Sequence, residues 1–152
     1  MNAIQIIPYS PQYASAFKSL NEAWIIKFFR LEPEDINTLN NPQQIIDQDG
    51  YIFVALHASV PVGVCALKKM DHQQFEFSKM AVDEKWQGHG IGRQLIDAAI
   101  AQARAVQAKS LYLEGNTLLK ASIHLYKKVG FFEIEAGESH FERVNITMKM
   151  LL

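Results

Sequence analysis

Cysteine is almost missing from this chain. The one cysteine, Cys65, cannot close an internal disulfide, so no covalent staple is available and a reducing, cytoplasmic setting is expected. No apolar run approaches the roughly 18 residues a membrane span needs. The opening Met-Asn-Ala-Ile-Gln also lacks the basic start and apolar stretch of a signal peptide. A membrane is therefore not among the expected partners. An excess of one charge is missing too: fifteen basic and sixteen acidic side chains leave a net charge of −1. That balance gives no basic footprint for a nucleic acid. No cysteine–histidine group has metal-ligand spacing, so no metal is expected. Repeats, low-complexity tracts and linkers are absent. What the chain does have is 49% hydrophobic residues over 152 positions, enough to bury a proper core as a single domain spanning 1–152.

Glycine is sparse as well, at eight residues, yet three of the eight stand at alternate positions, Gly88, Gly90 and Gly92. They follow an apolar run ending at Met80-Ala81-Val82 and precede an amphipathic helical pattern. Glycines let the turn curl and let a ligand approach the backbone. A helix starting there presents unpaired N–H groups and a positive dipole end. The combination is an anion site suited to phosphate. Two nucleotide motifs fail: Arg93-Gln94 replaces the Lys-Ser/Thr of a P-loop, and Arg93 or Leu95 falls where a dinucleotide fingerprint needs its last glycine.

In chain order, Ala3 to Ile7 reads as a strand, and Ser10-Pro11 as a helix start. Phe17, Leu20, Trp24, Ile25 and Phe28 then recur at helical spacing. Acids behind Pro33 and the Asn41-Pro42 pair signal two further short helices. This block either packs on a sheet or forms a lid over a substrate, with Trp24, Phe28, Phe29, Glu32 and Asp35 near it. Tyr51–Leu56 and Val60–Leu67 flank a turn as in a hairpin. Cys65 lies in the second of these, and a buried thiol is preferred to a nucleophile because no base is evident. Phe75–Val82 is the central strand. Ile91, Leu95, Ile96, Ala99, Ile100, Ala103 and Val106 form an apolar helical stripe. Lys109–Glu114 reads as a strand, Asn116-Thr117 as the start of a last helix ending at Gly130, and Phe131–Ile134 and Phe141–Met150 as closing strands. The class is α+β.

The spacing Q-x-x-G-x-G, from Gln87 through Gly90 to Gly92, resembles the pyrophosphate loop of the GNAT superfamily of acetyl-CoA-dependent N-acetyltransferases. Ser122-Ile123-His124-Leu125-Tyr126-Lys127-Lys128-Val129-Gly130-Phe131 is similar to a second element of that family, A-x-x-L-Y-x-k-x-G-F, with Ser122 where alanine is common. Asn116 sits three residues further from Tyr126 than in the common asparagine pattern. The resemblance implies a GNAT-like, mostly antiparallel sheet of six to seven strands flanked by about four helices, and acetyl-CoA as cosubstrate. It further implies that Met80, Ala81 and Val82 hold the pantetheine by their backbone. The pyrophosphate falls to the N–H groups of Gln87, Gly88, His89, Gly90, Ile91, Gly92 and Arg93, with Asn116 and Ser122 also on the cofactor. Arg93 adds charge or is simply a solvated first-turn arginine. Trp24, Phe28, Glu32 and Asn145, with Arg143 beside it, fall near the acceptor.

Amide formation needs a neutral amine, a polarised thioester carbonyl and a proton for the departing thiolate. Tyr126, neutral at pH 7, is the candidate general acid, unless it is a core aromatic. Glu76 is the candidate base, unless it orients substrate or a water relay replaces it. The expected activity is acetyl transfer to a primary amine of a small molecule or peptide by direct attack in a ternary complex. The alternative is a non-catalytic acyl-CoA-binding sensor or partner subunit. Homodimers are common in the family, and the amine itself stays open.

Overall fold

Stretches of period two become strands and stretches of helical period become helices in the computed structural model, which describes residues 3–152. The strands are β1 (Ile4–Pro8), β2 (Tyr51–His57), β3 (Val60–Lys69), β4 (Gln74–Val82), β5 (Ser110–Gly115), β6 (Phe132–Ile134) and β7 (Ile146–Leu151). The helices are α1 (Ala14–Phe28), α2 (Pro33–Asn40), α3 (Gln43–Asp47), α4 (Ile91–Ala105) and α5 (Lys120–Val129). One seven-stranded sheet runs in the order β1-β2-β3-β4-β5-β7-β6. Every neighbouring pair is antiparallel except β4 with β5. That parallel pair needs a crossover, which α4 provides. The expected α+β class and mostly antiparallel sheet are borne out, with a short fifth helix, α3, beyond the four.

Each face of the sheet carries its own core. On one, Leu95, Ile96 and Ala99 of α4 and Ile123 of α5 pack on Phe75, Phe77, Leu111 and Met148. On the other, Phe17 and Ile25 of α1, Leu39 of α2 and Ile45 of α3 cover Ile52, Val54, Val64 and Ala66. Cys65 is fully buried on the α4 side, and burial drives its thiol well above the ordinary range.

Two expected boundaries move. The last strand begins at Ile146 rather than Phe141, because residues 141–143 leave the sheet to bond α2: the Glu142 N–H donates to Glu32 Oε1 at 2.8 Å and Arg143 pairs with Asp35. The last helix begins at Lys120 rather than Asn116. The Asn116 side chain accepts from the Leu118 N–H at 2.8 Å, an Asx turn that holds the preceding residues out of the helix.

Candidate active site

The site grows from two irregularities of the central strand. The first is a bulge: Val64 pairs with Ala81 but Ala66 with Ser78, so β4 carries one extra residue against β3. Lys79 adopts a positive φ of 53° there. An extra residue reverses the alternation of faces. Phe75 and Phe77 belong to the α4–α5 core and so do Met80 and Val82 beyond the bulge, whereas Ala81 packs with α1. Ser78 and Lys79 consequently share the α1–α2 side with Glu76. The second irregularity is a splay. β4 and β5 pair only through Gln74–Ser110, Phe75–Leu111 and Glu76–Tyr112. Beyond Glu76, β4 stays with β3 and β5 with β7, and a cavity of about 530 Å³ opens between them.

The cavity is reached from both faces. On the α4–α5 face, Asp83 Oδ1 accepts from the Lys85 N–H at 2.9 Å and the Gln87 side chain donates to the Val82 carbonyl at 3.2 Å, shaping the turn that follows β4. Gly88 and Gly90 take positive φ, +82° and +77°, which glycine adopts without strain. The Gln94 N–H makes the first bond of α4, to the Gly90 carbonyl. The N–H groups from Gly88 to Arg93 have no protein acceptor among the described residues, as a helix N-terminus dictates. These donors, with no Cβ at Gly88 or Gly90, fit a pyrophosphate. The Arg93 side chain is drawn along α4 to Asp97 at 3.1 Å.

Tyr126 projects from α5 into the same cavity. Phe77 and Phe131 hold its ring edge-on, at centroid distances of 6.1 and 5.9 Å. Burial raises its phenol well above the ordinary value, and the bond to Ser122 offsets only part of that. The phenol therefore keeps its proton at neutral pH. From the opposite face comes Glu76, whose carboxyl is raised by burial and by Glu114 and lowered by Lys68, Lys79 and His140.

Beside Glu76 lies a buried charge cluster. Lys79 Nζ donates to Asp35 Oδ1 at 2.7 Å. The Arg143 guanidinium donates to both Asp35 oxygens at 2.7 Å and to Glu32 Oε2 at 3.2 Å. Asp35 also accepts from the Glu32 N–H, closing the first turn of α2. Burial pushes the Asp35 carboxyl up, but the bonds from Arg143 and Lys79 prevail and hold it at about 2.

Of the residues singled out in the sequence, Trp24, Phe28, Phe29, Glu76, Met80, Ala81, Val82, Gln87, Gly88, Gly90, Ile91, Gly92, Arg93, Asn116, Ser122, Tyr126 and Arg143 line the cavity. Three do not. His89 turns outward with its ring 5.7 Å from that of Trp86. Glu32 is 6% exposed and occupied by Arg143 and the Glu142 N–H. Asn145 is tied to Thr117, accepting its N–H at 2.9 Å. The Asn116 side chain, although at the cavity, is spent on the Leu118 N–H and the Arg143 carbonyl. Ser78, Lys79, Glu114 and Phe141 also line it, although no motif in the sequence marks them. Only Lys79 left a signal, as a charged residue in the middle of an apolar strand. Among the described residues no group of three or more His, Cys, Asp or Glu is placed to hold a metal ion.

Residues 13–131 match the family model described as Acetyltransferase (GNAT) family. The chain is 25% identical over 99 residues to N-alpha-acetyltransferase 30 of Saccharomyces cerevisiae, an alignment covering 62% of this chain and 56% of the yeast protein. In structure it resembles a GNAT-family acetyltransferase of Staphylococcus aureus Mu50, with a TM-score of 0.90 and 21% identity over 98% of this chain and 99% of that one. It also resembles yncA, a putative acetyltransferase of Salmonella typhimurium solved with its cofactor acetyl-CoA, with a TM-score of 0.78 and 18% identity over 98% and 94% of the two chains.

Proposed function

Since the chain belongs to the acetyltransferase (GNAT) family, we propose that it transfers an acetyl group from acetyl-CoA to a primary amine by direct attack in a ternary complex. The observation that carries this reading is the cavity through the β4–β5 splay. It is lined on one face by the donor-rich turn at Gly88–Arg93 and by Tyr126, and on the other by Glu76. Acetyl-CoA supplies an activated acyl thioester. The turn at Gly88–Arg93 binds its pyrophosphate, and the backbone of Met80 to Val82 lies along its pantetheine.

Glu76 takes the proton that an attacking ammonium must lose, directly or through one water. As the C–N bond forms and the C–S bond breaks, Tyr126 gives its proton to the departing sulfur. A carboxyl raised by burial is a stronger base than an exposed one, and a phenol that stays protonated is available as acid. Holding both reactants in one cleft contributes in addition, since a near-attack pair can be worth roughly 7–11 kcal/mol.

Calorimetric titration with acetyl-CoA, followed by free-thiol release across a panel of amines, tests the reading. Binding with amine-dependent thiol release is expected. Binding without release from any amine would favour a non-catalytic acyl-CoA sensor, and failure to bind would remove the role of the glycine turn.

A further inference from the structure

The acceptor side of the cavity is lined by two acids that form no ion pair, by aromatic rings, and by two cations, Lys79 and Arg143, that are already engaged. Lys79 and Arg143 both line it, yet neither is available to a substrate anion. Asp35 bonds both from behind and Glu32 also bonds Arg143, the two acid side chains being 0% and 7% exposed. Phe141 covers their other side, 4.7 Å from Lys79 Nζ and 4.5 Å from the Arg143 guanidinium. Two cations and two carboxylates cancel within the protein.

Glu76 and Glu114 differ. The Glu76–Tyr112 pairing and the two-residue step to Glu114 put both carboxylates on one face of neighbouring strands. Glu114 accepts only from neutral hydroxyls, Tyr112 at 2.9 Å and Ser139 at 3.0 Å. Glu76 stands opposite Lys68 in the β3–β4 ladder, but among the described residues no cation forms an ion pair with either acid. Next to them the Ser78 Oγ is buried and lacks a hydrogen-bond partner. It is a polar group waiting for one in the cavity. The remaining wall is Trp24, Phe28, Phe29 and Phe141. Farther out, the rim acids Glu84 and Glu142 are already paired with Lys27 and Arg30.

From this juxtaposition we infer that the acceptor is a primary ammonium on an apolar, preferably aromatic body, with no carboxylate and no second ammonium. The inference rests on the transferase reading above. Glu76 and Glu114 draw in the ammonium, Ser78 takes one of its N–H groups, and the rings receive the body. A carboxylate beside the amine would face two like charges while Lys79 and Arg143 stay committed to Asp35 and Glu32, and like-charge juxtaposition is costly in a cleft. The far end of a diamine would lie among the rings with no acid to meet it.

The test is kcat/KM from thiol release for 2-phenylethylamine, phenylalanine, putrescine and a short amidated peptide with amino-terminal phenylalanine. Acetyl-CoA affinity is measured separately by calorimetry. Phenylalanine is expected to be about 100-fold poorer than 2-phenylethylamine and putrescine about tenfold poorer. The peptide arm distinguishes a free amine from a chain terminus as the source of the same chemistry. Glu114→Gln should raise the KM for 2-phenylethylamine about tenfold and leave acetyl-CoA affinity unchanged. Phenylalanine or putrescine used as well as 2-phenylethylamine, while acetyl-CoA binds normally, overturns this inference and spares the transferase reading. An unchanged amine KM in Glu114→Gln also overturns it. Absence of thiol release with every amine overturns both.

Discussion

Tyr126 and Glu76 reach one cavity from opposite faces of the sheet, and each can be tested alone. The Tyr126 ring is held by Phe77 and Phe131, so Tyr126→Phe keeps the packing and removes only the proton. Turnover should fall about 10²-fold or more while calorimetry finds the same CoA affinity; equal turnover would return Tyr126 to a packing role. Glu76 carries a carboxyl raised by burial. A base must be ionised, so activity should rise as pH climbs through that raised pKa, and Glu76→Gln should flatten this acidic limb. An identical pH–rate profile in the variant would move the base to water. Both residues were legible in the sequence, Tyr126 through its motif and Glu76 through its place before the cofactor strand. Glu114 was not. It lies 38 positions from Glu76 along the chain, and only the pairing of β4 with β5 makes them neighbours.

The strand–turn–helix unit from β4 to α4 is the element most completely written in the chain. Its apolar run, alternate glycines and helical stripe each have a local cause. At Gly90, φ is +77° and a Cβ would meet no protein atom within 4 Å, so a side chain there would project toward the space assigned to the pyrophosphate. Gly90→Val should weaken acetyl-CoA binding about tenfold or more, with a backbone penalty of about 1–2 kcal/mol on folding. Calorimetry and urea unfolding separate the two effects. Undiminished affinity would take the turn out of the binding site. The β4 bulge had no such legibility: nothing local to Ser78-Lys79 demands a positive φ of a lysine. The conformation is held from outside, by the bond of Lys79 Nζ to Asp35 on α2.

At the scale of the whole molecule, the cluster of Glu32, Asp35, Lys79 and Arg143 ties three separate segments together: α2, the bulge of β4 and the loop before β7. Asp35, held at about 2 by Arg143 and Lys79 against the effect of burial, gives a signed expectation. Its folded pKa lies below its unfolded value, so its contribution is present above about pH 4 and is lost as pH falls toward about 2. The amount is on the order of 2 kcal/mol. Asp35→Asn leaves two buried cations undercompensated and should cost about 3–5 kcal/mol, with a shallower loss of stability between those pH values. A variant with the urea midpoint of the parent would show that the cluster does not hold these segments. By itself the sequence determined the α+β class, most strands and helices, the glycine turn and the tyrosine motif, because each rests on periodicity or spacing within a few residues. Only the tertiary structure decided that Glu32 and Asn145 face away from the cavity, that Arg143 is neutralised, and that Glu76 and Glu114 share a face. Those outcomes depend on strand register, one extra residue in β4 and ion pairs across as many as 111 positions, where local pattern carries no information.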